Sequence, residues 1–162
     1  MAEALIGLGG NLGDVRKSID RAVGLFCTEP AVRLVAQSAD YRTPPWGPIE
    51  QPAFINRCLV VETLLTPHDL LAHALAVERR LGRDRTNEHR WGPRPIDIDL
   101  LTYDDAVLDE PGLKLPHPEL FRRAFVLVPL AEVAADRIVA GTRIADALGQ
   151  VDTAGIERLT AD

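Results

Sequence analysis

Apolar positions fall along this chain in two alternating rhythms, and the changes of rhythm mark its elements. Ala4-Leu5-Ile6-Gly7-Leu8 is a short continuous apolar run that halts at Gly9-Gly10, as a buried strand would. Val15, Ile19, Ala22, Val23 and Phe26 then share one face at helical spacing, with Asp14 standing where an N-cap belongs. Val32 to Tyr41 reads as a strand, and a break rich in proline and glycine follows at Thr43-Pro44-Pro45-Trp46-Gly47-Pro48. Phe54 to Leu64 reads as a second, longer strand. Thr66-Pro67 opens a helix with proline in its first turn, which Leu70, Leu71, Ala74 and Val77 carry to Leu81 before Gly82 ends it. After an arginine-rich loop, Ile96-Asp97-Ile98-Asp99-Leu100-Leu101 alternates as a strand. The tail from Pro116 adds helical pieces around Phe125 to Ala135 and Arg143 to Leu148. The order β-α-β-β-α-β predicts an α/β (α+β) fold: a ferredoxin-like sandwich, its antiparallel sheet packed with helices, plus short C-terminal helical additions. All of 1–162 is expected to form a single domain.

Composition narrows the class. Hydrophobic residues at 46% and charged ones at 26% are an ordinary globular balance, which speaks against disorder. Cys27 and Cys58 are far apart and outside any C-x-x-C pattern, so the expectation is two reduced thiols and no cysteine-built zinc site. Met1 to Gly10 has no basic stretch and no long apolar run, so a cytoplasmic chain without a membrane partner is expected. A net charge of −6 sets the whole chain against nucleic acid, yet Arg79, Arg80, Arg83, Arg85, Arg90 and Arg94 crowd into one stretch against only Asp84 and Glu88. That concentration suits a local anion site, although a solvated helix end and charged loop would have the same composition.

Candidate chemistry centres on Asp97 and Asp99. Alternate residues of a strand point to one face about 7 Å apart, so Ile96, Ile98 and Leu100 turn inward while two carboxylates stand together on the other side. Magnesium commonly takes one or two carboxylates plus substrate phosphates. An exposed polar sheet face would show the same alternation. Gly82-Arg83-Asp84-Arg85 and Arg90-Trp91-Gly92-Pro93-Arg94 run directly into this strand, and arginine forks match phosphate oxygens, so the combination favours a metal–polyphosphate site. The glycines from Gly7 to Gly13 fit neither a dinucleotide fingerprint, because Leu12 falls where glycine is needed, nor a P-loop, which lacks its Gly-Lys-Ser/Thr; a tight strand-to-helix turn suffices. The stiff Thr43–Pro48 loop is either a surface turn or one wall of a heterocycle pocket, to which Phe54, Asn56 and Phe125 would add stacking surface and an amide. His117 stands between prolines, close in sequence to Arg122 and Arg123. No cysteine or serine with a paired base suggests covalent catalysis.

In combination these segments resemble the 6-hydroxymethyl-7,8-dihydropterin pyrophosphokinase family. The resemblance rests on Gly9-Gly10-Asn11-Leu12-Gly13-Asp14, Tyr41-Arg42-Thr43-Pro44-Pro45, Gln51-Pro52 through Asn56, Arg90 through Leu100, and Leu115-Pro116-His117-Pro118, in that order along most of the chain. It implies a transfer of diphosphate from ATP to the pterin hydroxyl in folate biosynthesis, with AMP released. It further implies two magnesium ions on Asp97 and Asp99, ATP as co-substrate, charge neutralisation by Arg83 and Arg94, and Trp91 on a closing loop. Glu78, Arg85, Ile98, His117 and Arg123 match nucleotide-binding positions; Thr43, Pro45, Phe54, Asn56 and Phe125 match the pterin pocket, with the phenylalanines sandwiching the ring. A monomer is implied. Gly10 replaces a more usual serine, Trp46 a smaller residue, and the segment from Arg85 to Trp91 is slightly long.

Rivals from other classes fit less. A nucleic-acid module on this fold would need aromatic-rich strands and a basic face. A noncatalytic binder would lack Asp97, Asp99 or Arg94. A phosphohydrolase would leave the proline loop and the aromatic pair without a role.

Overall fold

The structure, a computed structural model, describes residues 1–45, 47–83, 92 and 94–161. Its elements follow the predicted order as far as β5, with one strand more than expected. They are β1 (Ala2–Gly10), α1 (Val15–Phe26), β2 (Val32–Gln37), β3 (Tyr41–Thr43), β4 (Phe54–Thr63), α2 (Pro67–Arg80) and β5 (Asp97–Tyr103). A β6–β7 hairpin (Leu108–Glu110, Leu113–Leu115) precedes α3 (Ala124–Ala134), a β8–β9 hairpin (Ile138–Val139, Thr142–Arg143), α4 (Ile144–Leu148) and β10 (Glu157–Arg158).

Local chemistry sets the helix starts. The Asp14 carboxylate accepts from the Lys17 N–H at 3.3 Å, and Thr66 Oγ1 accepts from the Asp69 N–H at 3.2 Å with Pro67 behind it. The antiparallel main sheet runs β10-β3-β4-β1-β5, and β2 also pairs with β4. On its edge away from β1, ten-residue β4 serves two partners: its first half pairs with β3, from Thr43 opposite Phe54, and its second half with β2, from Val32 opposite Thr63. The single strand expected over Val32 to Tyr41 is therefore two strands. Between them the Ala39 N–H donates to Glu132 Oε2, and the Asp40 carboxylate turns inward to accept from Arg57 and Arg16. Once turned inward, the Asp40 carboxylate needs both guanidiniums, because a buried charge left without its partner is strongly destabilising.

Two layers of side chains sandwich the sheet. On one face Ala4, Ile6, Leu8, Leu59, Val61, Ile98 and Leu100 pack against Ile19, Phe26, Leu70 and Val77 of α1 and α2. On the other, Leu5, Cys58, Val60 and Leu101 pack against Leu127, Leu130 and Ile144 of α3 and α4. The C-terminal helices thus cover the second face of the sheet, but only as far as Leu101. The alternation that buries Ile96, Ile98 and Leu100 leaves Asp97 and Asp99 half-exposed beyond the edge of that cover. Among the described residues no helix is long and apolar enough to cross a membrane.

Candidate active site

The strand register builds the site. Gly9 lies opposite Asp97 on one side and Asn56 on the other, and Gly7 lies opposite Asp99 and Cys58. The central strand therefore brings no side chain to this part of the face. The result is a trough about 10 Å across, two strand spacings, with the carboxylates along one side and Asn56 along the other. A methyl group at Gly9 would collide with Asn56 Oδ1, and one at Gly10 would sit 2.5 Å from the Pro95 carbonyl oxygen, so neither position has room for a Cβ. The cavity over the trough takes in about 740 Å3 of space, part of it open solvent.

Thr43, Pro44, Phe54, Asn56 and Phe125 wall one part of this cavity; Arg94, Asp97, Asp99 and Arg123 wall another. Asn56 Nδ2 donates to Thr43 Oγ1 at 2.7 Å, which fixes the amide and leaves its orientation defined. The Arg123 guanidinium lies 5.5 Å from the centre of the Phe125 ring. Arg94 Nε and Arg123 Nε are buried without a hydrogen-bond partner among the described residues. A buried N–H left unpaired costs about 1–3 kcal/mol, and two such donors on cationic groups around one cavity suit an anion.

Behind this wall lies a buried polar cluster. Arg83 Nη1 donates to Asp97 Oδ1 at 2.7 Å, to Glu78 Oε2 at 3.2 Å and to the Ile96 carbonyl at 3.2 Å. Glu78 Oε2 also accepts from the Ile98 N–H at 2.7 Å, so α2 grips β5 at the point where the two aspartates alternate. Arg94 Nη1 holds the other oxygen of Asp97 at 3.2 Å. The residues given charge-neutralising and nucleotide-binding roles by resemblance thus divide in space. Arg94 and Arg123 line the cavity, Glu78 and Arg83 stand behind Asp97, and Ile98 is buried on the core face.

His117 is anchored by its backbone N–H to the Leu101 carbonyl at 2.8 Å, and its Nδ1 accepts from the Glu119 N–H at 3.1 Å. The neutral ring therefore carries its proton on Nε2. Burial and the Arg123 guanidinium push its pKa below the usual histidine value, while Asp97 and Glu119 pull the other way.

At the proline loop the cavity is lined by Pro44, whereas Pro45 is not among its described lining residues. Arg85 and Trp91, like Trp46, lie outside the described residues. Sequence reasoning missed the role of Gly7 and Gly9, although two glycines two apart on a strand share a face. It also missed Asn11, whose Oδ1 accepts from the Arg94 N–H at 2.9 Å while Nδ2 donates to Gln51 Oε1 at 2.9 Å and the Pro52 carbonyl at 3.0 Å. Asn11 thereby ties the proline-loop side of the trough to the arginine side. Both cysteines are free, as expected; burial first, and then Asp99 and Glu132, hold the Cys58 thiol far above its usual pKa.

With this geometry in place, comparison with known proteins is direct. The sequence model of the family described as 7,8-dihydro-6-hydroxymethylpterin-pyrophosphokinase (HPPK) matches residues 5–135. The chain belongs to that family. A curated relative from Methylorubrum extorquens, named 2-amino-4-hydroxy-6-hydroxymethyldihydropteridine pyrophosphokinase, is 48% identical over 98% of this chain and 99% of its own length. One of the same name from Pseudomonas aeruginosa is 43% identical over 95% of this chain and 94% of its own. Among solved structures, Plasmodium falciparum HPPK-DHPS with pteroate matches 92% of this chain and 42% of its own with a TM-score of 0.72. At 13% identity that likeness speaks for the fold alone. The fold is therefore shared with that structure.

Proposed function

We propose that the chain transfers the diphosphate of ATP to the hydroxyl of 6-hydroxymethyl-7,8-dihydropterin in folate biosynthesis, and that the trough holds both substrates. The pterin lies at the Thr43–Asn56 end between Phe54 and Phe125, and the polyphosphate lies at the end walled by Asp97, Asp99, Arg94 and Arg123. The hydroxyl oxygen bonds to the β-phosphorus, the bond from that phosphorus to the α,β-bridging oxygen breaks, its electron pair leaves on AMP, and the hydroxyl proton is released. Such a transfer asks the protein for alignment and for opposite charge.

The unpartnered Nε atoms of Arg94 and Arg123 carry this reading. Both guanidiniums line the cavity and each keeps one N–H unbonded among the described residues, so turning that N–H towards a phosphate oxygen gains a charge-assisted bond. His117, with Nε2 protonated, adds a neutral donor near Arg123. Asn56 reads the edge of the heterocycle with an amide already oriented by Thr43. Arg83 acts through Asp97, orienting its carboxylate, and Glu78 holds Arg83 and Ile98.

Asp97 and Asp99 fit magnesium as a site completed by substrate, since two carboxylates on one strand face match its habit of sharing ligands with phosphates. Among the described residues no group of three or more acidic, histidine or cysteine side chains forms an all-protein metal cage. Two ions held there would supply charge neutralisation to the transferred group. Arg85 and Trp91 keep the roles that the resemblance implies. The whole chain is read as one domain and a cytoplasmic monomer, and its net charge of −6 supports the reading that it has no nucleic-acid partner.

The test is a product assay with ATP, magnesium and the pterin that follows AMP and ADP separately. Pterin-dependent AMP, abolished by chelator, is expected. ADP or free phosphate without the pterin diphosphate would overturn the assignment.

A further inference from the structure

The chain beyond residue 135 lies outside the match to the family model, yet it returns to the trough. β10 pairs with the edge of β3 that faces away from β4, Glu157 opposite Arg42 and Arg158 opposite Tyr41. The Leu159 N–H donates to the Asp40 carbonyl at 2.8 Å, and Arg16 Nη2 donates to the Thr160 carbonyl at 2.7 Å. Arg158 reaches Glu132 at 3.4 Å, and the same carboxylate accepts from Tyr41 Oη at 2.6 Å. Without this segment, three-residue β3 would pair on one side only, and β3 ends in Thr43 at the cavity wall.

One contact carries the segment to the wall itself. Gly155, at φ +82°, lays its backbone against the outer side of Pro44; a Cβ there would stand 3.0 Å from Pro44 Cγ. Pro44 lines the cavity next to Thr43, and Thr43 orients Asn56. These tail contacts fall on β3, on Pro44, and on Arg16 and Glu132, which hold Asp40 and Ala39, whereas the polyphosphate end is walled by β5, Arg94 and Arg123.

We propose that the C-terminal segment from Asp152 to Thr160 is a positioning element for the pterin, with Gly155 setting how far the Pro44 wall stands from the trough. This rests on the function proposed above. If the tail merely closed a sheet edge, its loss of fit would lower stability without distinguishing the two substrates. A positioning role acts on one of them.

Gly155→Ala is the test, with Gly141→Ala as its control. Gly141 has a similar φ of +84° but nothing within 4 Å of a built Cβ, so both variants take on the same backbone strain and only one presses on Pro44. Gly155→Asn places the same Cβ on a residue that tolerates positive φ, and replaces the alanine variant if that one does not fold. A displacement of a few tenths of an ångström is expected to raise KM for the pterin roughly three- to tenfold, leaving kcat and KM for ATP unchanged. Gly141→Ala is expected to lower the melting temperature equally with both KM values unchanged. An unchanged pterin KM in a folded Gly155 variant, an equal rise for ATP, or the same rise in Gly141→Ala would overturn the positioning role alone. Absence of pterin-dependent AMP from the unaltered chain would overturn the function and the positioning role together.

Discussion

Asp97 and Asp99 stand two residues apart on one strand, but their surroundings give them different duties. Asp97 is gripped by Arg94 at 3.2 Å and by Arg83 at 2.7 Å, and the Arg83 side chain is only 3% exposed. Asp97→Ala thus removes a carboxylate from a buried guanidinium as well as from the cavity. Stripping a buried charge of its partner costs about 3–5 kcal/mol, and less where Glu78 still pairs with Arg83, so this variant is expected to unfold at lower temperature and to lose turnover. Asp99→Ala is expected to lose turnover comparably, about 10²-fold or more, by removing charge that acts on the transition state. Thermal unfolding run beside the AMP assay checks the first variant; an unchanged melting temperature for Asp97→Ala would contradict the assignment of Arg83 to Asp97. His117 differs again, because its environment disfavours the charged ring. Its folded pKa lies below the ordinary 6.5, so the unfolded chain takes up the proton first as pH falls. The stability tied to the neutral ring is present above pH 6.5 and is lost as pH drops through that value towards the lower folded pKa. His117→Gln is expected to flatten the slope of unfolding free energy against pH in this window, measured by denaturant titration without nucleotide; an unchanged slope would contradict it.

Elements whose causes lie within a few residues are legible in the sequence. Asp14, Thr66 and Pro67 announce two helix starts by local bonding, and the alternation from Ile96 to Leu101 announces both a strand and its inward face. Features whose causes lie far along the chain are not. The break between β2 and β3 depends on Asp40 meeting Arg57 and Arg16, seventeen and twenty-four positions away. β10 is two residues long and exists because β3 offers it an edge. The aspartate pair, the arginines and the aromatic positions of the site are visible as residue types, whereas their division into lining and supporting groups needs the register of β1 against its two neighbours. Gly7 and Gly9 suggest a turn because glycine usually signals one, yet β1 continues straight through them. Gly9→Ala is expected to displace the Asn56 amide and weaken pterin binding at least about tenfold, since a hydrogen bond to a buried ring edge is worth that much or more. Titration of pterin fluorescence in the presence of a nonhydrolysable ATP analogue measures it, and unaltered affinity would mean the amide does not touch the ring.

At the scale of the whole molecule, an acidic protein gathers its buried, unpartnered cationic donors, among the described residues, in one place. The net charge of −6 coexists with Arg94 and Arg123 around a single cavity, so attraction for a polyanion is local and short-ranged. Two helical layers hold the sheet from both sides, and β1 is paired along both of its edges. Its backbone groups are engaged with β4 and β5 along the length of the trough. The ground beneath the substrates is consequently mute: it has no side chains to choose between one flat ring and another, and its amides are already spoken for. Discrimination has to come from the rim, where Asn56, Thr43 and Pro44 meet a ring edgewise. A compound built to block this enzyme should therefore gain little from enlarging the face it lays on the strand, and much from matching the outline of the walls.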